Sequence, residues 1–305
     1  MAIGYACIAM GINDGGMRGC VLKNANPSRL DLLTATNLST LGKQLDYNIR
    51  NGINLFRISS DIIPFGSHPV NRNLWWEDHA DSLQMLGDKI KSSGMRVSMH
   101  PGQYTVLNAS DPKVLKNAVA DLEYHARFLD ALGINTQHKI ILHLGGIYGD
   151  WQRSIARFEE NFQRLSLGVR RRMVIENDEK YDIAKVMEVA RELKIPAVFD
   201  VFHHQCHPAP GDRDVYYWVE QCRNTWQNDD GVQKIHYSQQ EPGLRSGAHA
   251  RSIKLQPFLD FYYQLPENPL DIMLEVKDKD ISALKCILAL QPDPPHRLGE
   301  PEKSI

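Results

Sequence analysis

Short apolar runs alternate along almost the whole chain with longer segments whose apolar positions recur at three- and four-residue spacing. The runs Ile3 to Ala9, Leu55 to Ser59, Arg96 to His100, Lys139 to Leu144, Met173 to Asn177, Ala197 to Val201, Gln233 to Tyr237 and Asp271 to Val276 read as strands. Between them, Leu115, Ala118, Val119, Leu122, Ala126 and Leu129 follow a helical template that Gly133 ends. Ile183, Val186, Met187, Ala190 and Leu193 repeat it before Pro196, as do Leu83, Leu86 and Ile90 before Gly94. Strand and helix in strict alternation predict a parallel sheet, and eight strands predict a closed (β/α)8 TIM barrel with its helices outside. Residues 1–290 are expected to form this one unit. The Pro-rich segment 291–305, with Pro292, Pro294, Pro295 and Pro301, cannot continue a helix and is expected to lie outside it.

Composition agrees with that architecture. The chain has 305 residues, 42% hydrophobic and 24% charged, enough for one large barrel domain. No apolar run reaches the roughly 18 residues a membrane span needs. MAIGYACIAM lacks the basic and long apolar regions of a secretory signal, so an intracellular protein is expected, cytoplasmic in a bacterium, and a monomer. Five scattered cysteines without a C-x-x-C pair indicate neither a disulfide framework nor a zinc ribbon. A net charge of −2 counts mildly against nucleic-acid binding, but a carboxylate-rich site loaded with divalent ions reverses its local sign.

The chemistry lies at the ends of the apolar runs. His143 ends KIILH, Glu176 ends MVIE, Asp200 ends AVFD, His236 ends QKIH and Glu275 ends IMLE, with His100 and His203 in similar positions. Any one of these alone is an ordinary polar residue or a cap for the following helix. In a parallel barrel, however, all strand ends meet around one pocket, so together they predict a shared metal site. Carboxylates and imidazoles without thiolates suit manganese or zinc. Two or more close ions suit hydrolysis of a phosphodiester.

Other positions leave alternatives open. Lys234 precedes His236 by two residues and shares its face, where an ammonium would be repelled by metal ions. It either binds a phosphate, is neutralised as a carbamate, or snorkels to solvent. Gln103 and Tyr104, in the loop HPGQYTVLN, could enter a base stack or pack locally. Tyr5 could line the pocket or pack. The polar connection Ser238 to Arg251 exceeds ordinary loop length and carries His249. His79, His125, His138 and His296 are assigned no function.

The stretches RISSDIIPFGSHP, LGDKIKSSGMRVSMHPGQYTVLN, HLGGIYGD, VIENDEK, FDVFHH, KIHYSQQ and IMLEVKDKD, in this order over residues 3 to 290, resemble the UV damage endonuclease family, itself similar to endonuclease IV. The resemblance implies a TIM barrel with three divalent ions, manganese with zinc or magnesium as alternatives. The implied activity is ATP-independent cleavage of damaged double-stranded DNA immediately 5′ to pyrimidine dimers, 6-4 photoproducts and abasic sites, leaving 3′-hydroxyl and 5′-phosphate ends. It implies that His100, His143 and Glu176 hold one ion. Glu176 would bridge to a second ion held by Asp200, His236 and Glu275, and His203 and His249 would serve a third. It further implies a carboxylated Lys234, a site role for His68, a probing pair Gln103 and Tyr104, and a lesion-pocket role for Tyr5. GINDGGMRGC and GLRSGAHARS follow the family pattern less regularly, which leaves the range of lesions less defined than the metal site.

The competing reading is a metal-dependent sugar isomerase or epimerase of the xylose-isomerase-like barrel type, which needs only one or two ions. A noncatalytic DNA-binding barrel is disfavoured, because binding alone does not require so many ionisable groups assembled together.

Overall fold

The computed structural model describes residues 1–211 and 213–291, so the expectation for the Pro-rich tail beyond residue 291 lies outside the described residues. Eight parallel strands, β1 (Ile3–Ala6), β2 (Leu55–Ile58), β3 (Arg96–Met99), β4 (Lys139–His143), β5 (Met173–Glu176), β6 (Ala197–Asp200), β7 (Gln233–Tyr237) and β8 (Leu270–Leu274), pair in chain order and close on themselves. This is a (β/α)8 TIM barrel with helices in the connections. Among them are Pro27–Arg50, Ala80–Ser93, Pro112–Ala131 and Ile183–Leu193. The helical spacing around Leu83, Leu122 and Val186 thus describes faces buried against the sheet.

Glycine and Asx chemistry sets the helix boundaries. Gly94 ends its helix at φ 67°, a left-handed conformation open to glycine without a Cβ penalty. Asn26, Asp111, Asp150 and Asp182 each accept a backbone N–H at the start of a helix, and Pro follows the first two.

Register divides the strand residues into two sets, because side chains alternate across a strand while paired residues share a face. One set packs outward against the helices and includes Tyr5, Phe56, Val97, Ile140, Phe199 and Leu274. The other fills the barrel in layers. Its floor is ionic: Arg96 pairs with Asp271 at 3.0 Å and Lys139 with Asp230 at 2.5 Å. Above it, Ile141, Val174 and Val198 form a small apolar cluster separate from the main core. Still closer to the C-terminal mouth, the inward positions carry Arg57, His143, Glu176, Asp200 and His236.

All strands but β7 close earlier than their apolar runs. Cys7 turns away from β1 at φ 71°. At the end of β5, the Asn177 amide donates to the Asp200 carbonyl at 3.0 Å and accepts from the Asp200 N–H at 2.8 Å, replacing the next rung of the ladder. Val201 begins the helix Val201–Cys206 that Asp200 caps. The strand ends give up regular pairing where side chains must converge.

The loop after β1 is tied to the opposite side of the closure. Asp280, fully buried, accepts from the N–H groups of Met10 at 2.6 Å and Gly11 at 2.9 Å and from the Tyr47 hydroxyl at 2.8 Å. Replacing Asp280 with Ala strips three donors of their acceptor and should cost about 3 kcal/mol of stability. A urea midpoint unchanged from wild type would contradict this structural role.

Candidate metal centre

Glu176 ends β5 at the centre of the mouth and is 1% exposed. Its two oxygens face different partners. Oε2 lies 3.2 Å from His100 Nε2 and 3.5 Å from His143 Nε2, while Oε1 lies 2.5 Å from His236 Nδ1. Two potential ligand sets therefore share this carboxylate: His100, His143 and Glu176, and Glu176, Asp200, His236 and Glu275. Within each set the ligand atoms lie within 4.8 Å of one another.

The donor set fits hard or borderline divalent ions. A further observation supports that fit: Asp200 Oδ2 is buried with no hydrogen-bond partner, while Oδ1 caps the next helix by accepting the His203 N–H at 2.7 Å. An orphaned carboxylate oxygen among other carboxylates calls for a cation.

Several rings are oriented with Nε2 toward the mouth. His100 Nδ1 lies 3.0 Å from the Pro101 carbonyl, His249 Nδ1 2.7 Å from the Glu275 carbonyl, and His143 Nδ1 3.3 Å from Asp178 Oδ2. An acceptor at Nδ1 keeps a proton there, so Nε2 is the nitrogen each ring can give to an ion. His236 is turned the other way, with Nδ1 toward Glu176.

The field of the mouth is strongly negative and internally compensated. Burial pushes the Glu176 carboxyl up, but the His236 charge and three imidazole contacts outweigh it and hold the group well below the usual range. Burial likewise opposes ionisation of Glu275, which Arg57 and His236 nevertheless keep ionised. Asp200 goes the other way: burial, reinforced by Glu176 and Glu275, outweighs the pull of His203 and raises it to about 8. Arg57, buried on β2, donates from Nη2 to Glu275 Oε1 at 2.5 Å and lies 3.0 Å from His236 Nε2.

The remaining positions divide. His203 and His249 come together with ring centroids 6.0 Å apart, and the long connection folds back through a bridge between Gln240 and His249. Among the described residues, no third His, Cys, Asp or Glu completes a set of three around this pair, unlike the two sets at Glu176. Lys234 points into the barrel below His236, buried, with no partner for Nζ. Burial and the nearby charges of Arg96 and Arg57 hold its amine well below the ordinary lysine range. Gln103 and Tyr104 stand exposed beside His100 on a loop rooted by Thr105, whose hydroxyl donates to Asp121 at 2.6 Å.

Two further positions lie apart from the ligand sets. Tyr5 faces outward in register with Phe56 and Leu274, is fully buried, and donates its hydroxyl to Asn48 at 2.8 Å. The alternation of β1 sends position 5 to the helices. His68 is exposed on a neighbouring cavity of about 510 Å³ that Arg18 and Tyr104 also line. Among the described residues, no hydrogen bond or ion pair connects it to the ligand sets; its Nδ1 accepts the Val70 N–H at 3.1 Å.

Arg57, Asp178 and Asn177 escaped the search along the sequence, which looked only for ligand types at run ends. Arg57 had one visible signal, a full charge inside the apolar run LFRI. Asp178 follows Glu176 by two residues in VIENDEK, beyond the strand, where spacing alone says nothing about direction.

The molecule is a TIM barrel whose mouth gathers carboxylates and imidazoles into two sets that could hold divalent ions. The family model described as UV-endonuclease UvdE matches residues 2–293, and the chain belongs to that family. It is 43% identical to a UV DNA damage endonuclease of Clostridium perfringens (strain 13 / Type A), over 95% of this chain and 71% of that protein. It is 34% identical to a UV DNA damage endonuclease of Bacillus cereus (strain Q1), over 87% and 84%. The crystal structure of SacUVDE superposes with a TM-score of 0.90 at 35% identity, covering 95% of this chain and 98% of that one. Endonuclease IV from Thermus thermophilus and the 3-keto-D-glucoside 4-epimerase YcjR from E. coli each reach only 0.56, at 12% and 11% identity. They share the fold. The epimerase likeness therefore carries no argument for sugar chemistry.

Proposed function

We propose that this chain is a metal-dependent DNA-repair endonuclease. It cleaves the phosphodiester bond immediately 5′ to UV lesions (cyclobutane pyrimidine dimers and 6-4 photoproducts) and to abasic sites, without ATP, leaving 3′-hydroxyl and 5′-phosphate ends. The observation that carries this reading is the shared carboxylate of Glu176, which faces a ligand set from each of its two oxygens. Residues 1–290 form the catalytic unit.

His100, His143 and Glu176 would hold one divalent ion; Glu176, Asp200, His236 and Glu275 a second; and His203 with His249 would contribute to a third. Manganese is the expected ion, with zinc or magnesium as alternatives. Divalent ions held there would supply Lewis acidity toward phosphodiester oxygens. The chain's own residues do the positioning. Arg57 holds Glu275 at the rim of its set, and the exposed Gln103 and Tyr104 are suited to enter a duplex beside the site. A dimer or abasic site stacks poorly, so displacing it costs less than displacing intact bases, and selectivity follows from deformability. His68, outside the ligand sets, is assigned to a backbone phosphate.

Lys234 is assigned as a carbamate. A buried, unpartnered amine between Arg96 and Arg57 is held neutral, which is the nucleophilic form toward carbon dioxide, and the resulting anion would be attracted by the arginines that repel the ammonium.

With divalent metal, the protein should nick a UV-irradiated supercoiled plasmid and spare an untreated one. Glu176→Gln should lower that activity at least ~100-fold with an unchanged near-UV spectrum. Equal relaxation of both plasmids, or full activity in the variant, would contradict the reading. Supplying 13C-bicarbonate should produce a carbamate carbon resonance that Lys234→Met lacks; identical spectra would remove the carbamate assignment.

A further inference from the structure

We propose that Asp178 is a positioning residue that sets the tautomer of His143, so that Nε2 offers its lone pair beside Glu176. This rests on the reading that the mouth holds divalent ions. A neutral imidazole carries one proton, and only the other nitrogen can ligate. Asp178 Oδ2 lies 3.3 Å from His143 Nδ1, and a carboxylate at that position accepts and holds the proton there. Nε2 then faces Glu176 Oε2, 3.5 Å away.

The carboxylate cannot easily turn. Its other oxygen accepts the N–H groups of Lys180 and Tyr181, each at 2.8 Å, and the Asp178 N–H donates to the Tyr181 carbonyl at 3.1 Å. The turn after β5 is built around this side chain, which is 2% exposed. His100 and His249 are held differently, by the carbonyls of Pro101 and Glu275, which substitution does not remove. His143 alone of these three is held at Nδ1 by a carboxylate rather than a carbonyl. Such outer partners of metal-binding imidazoles typically change metal affinity about 10- to 100-fold when removed.

Asparagine separates this role from support of the turn. Its amide has one accepting oxygen and one donating nitrogen. The two turn N–H groups can only donate, so the oxygen must face them and the NH2 must face His143. Nδ1 then accepts and the proton moves to Nε2, the wrong nitrogen for a ligand. Size and the turn are preserved.

The test compares wild type, Asp178→Asn and Asp178→Ala by three readouts: Mn2+ titration followed by the spin resonance of the free ion, thermal unfolding without metal, and long-range proton–nitrogen NMR of the imidazoles. Asp178→Asn should keep the wild-type melting temperature, remove the proton from His143 Nδ1 while Nε2 carries one, and weaken one Mn2+ site about 10- to 100-fold. Asp178→Ala should also lose stability, because the turn is released. Unchanged affinity and tautomer in Asp178→Asn, with a wild type that binds Mn2+, would overturn this role alone. A melting temperature lowered as far as in Asp178→Ala would reduce Asp178 to a turn residue. A wild type that binds no Mn2+ would overturn the metal reading and this proposal with it.

Discussion

The structure depends on one carboxylate held in the middle of a barrel mouth. Glu176 is nearly inaccessible to water, and its oxygens are divided between His100 and His143 on one side and His236 on the other. A carboxylate taken out of water is costly unless cations or donors replace the solvent. Here imidazoles and the Arg57 guanidinium do so only in part, since Asp200 keeps an unpartnered oxygen and an elevated affinity for its proton. Divalent ions bound there, as proposed, would complete that compensation, so the residues that strain the mouth would also supply its chemistry.

The layers below make this arrangement possible. An ionic floor of Arg96, Asp271, Lys139 and Asp230 closes the N-terminal end, and Ile141, Val174 and Val198 form an apolar layer above it. Lys234 lies inside this stack without a partner. Burial, with Arg96 and Arg57 nearby, disfavours an ammonium there, and the carbamate proposed for Lys234 rests on that same neutral amine. Strand ends that abandon regular pairing, as at Asn177 and Asp200, free the backbone to aim side chains at the same point.

Much of this was legible along the chain, because both periodicities are local. Apolar runs marked all eight strands to within a few residues, and ligand types at their ends marked the mouth. What the runs overstated was strand length, since pairing at the ends is set by side-chain substitution for the ladder. What they leave open is direction. Tyr5 matches a family position, yet β1 alternation turns it toward the helix Pro27–Arg50 and onto Asn48. His68 lies in a loop whose path no local pattern fixes. Arg57 and Asp178 act through contacts between distant segments, and such contacts leave no trace in spacing.

The most direct measurement is anomalous diffraction from crystals grown with Mn2+. A shared Glu176 requires a peak on each of its sides, one touching His100 and His143 and the other touching Asp200, His236 and Glu275. The absence of any peak, or a single peak that Glu176 does not touch, would contradict it.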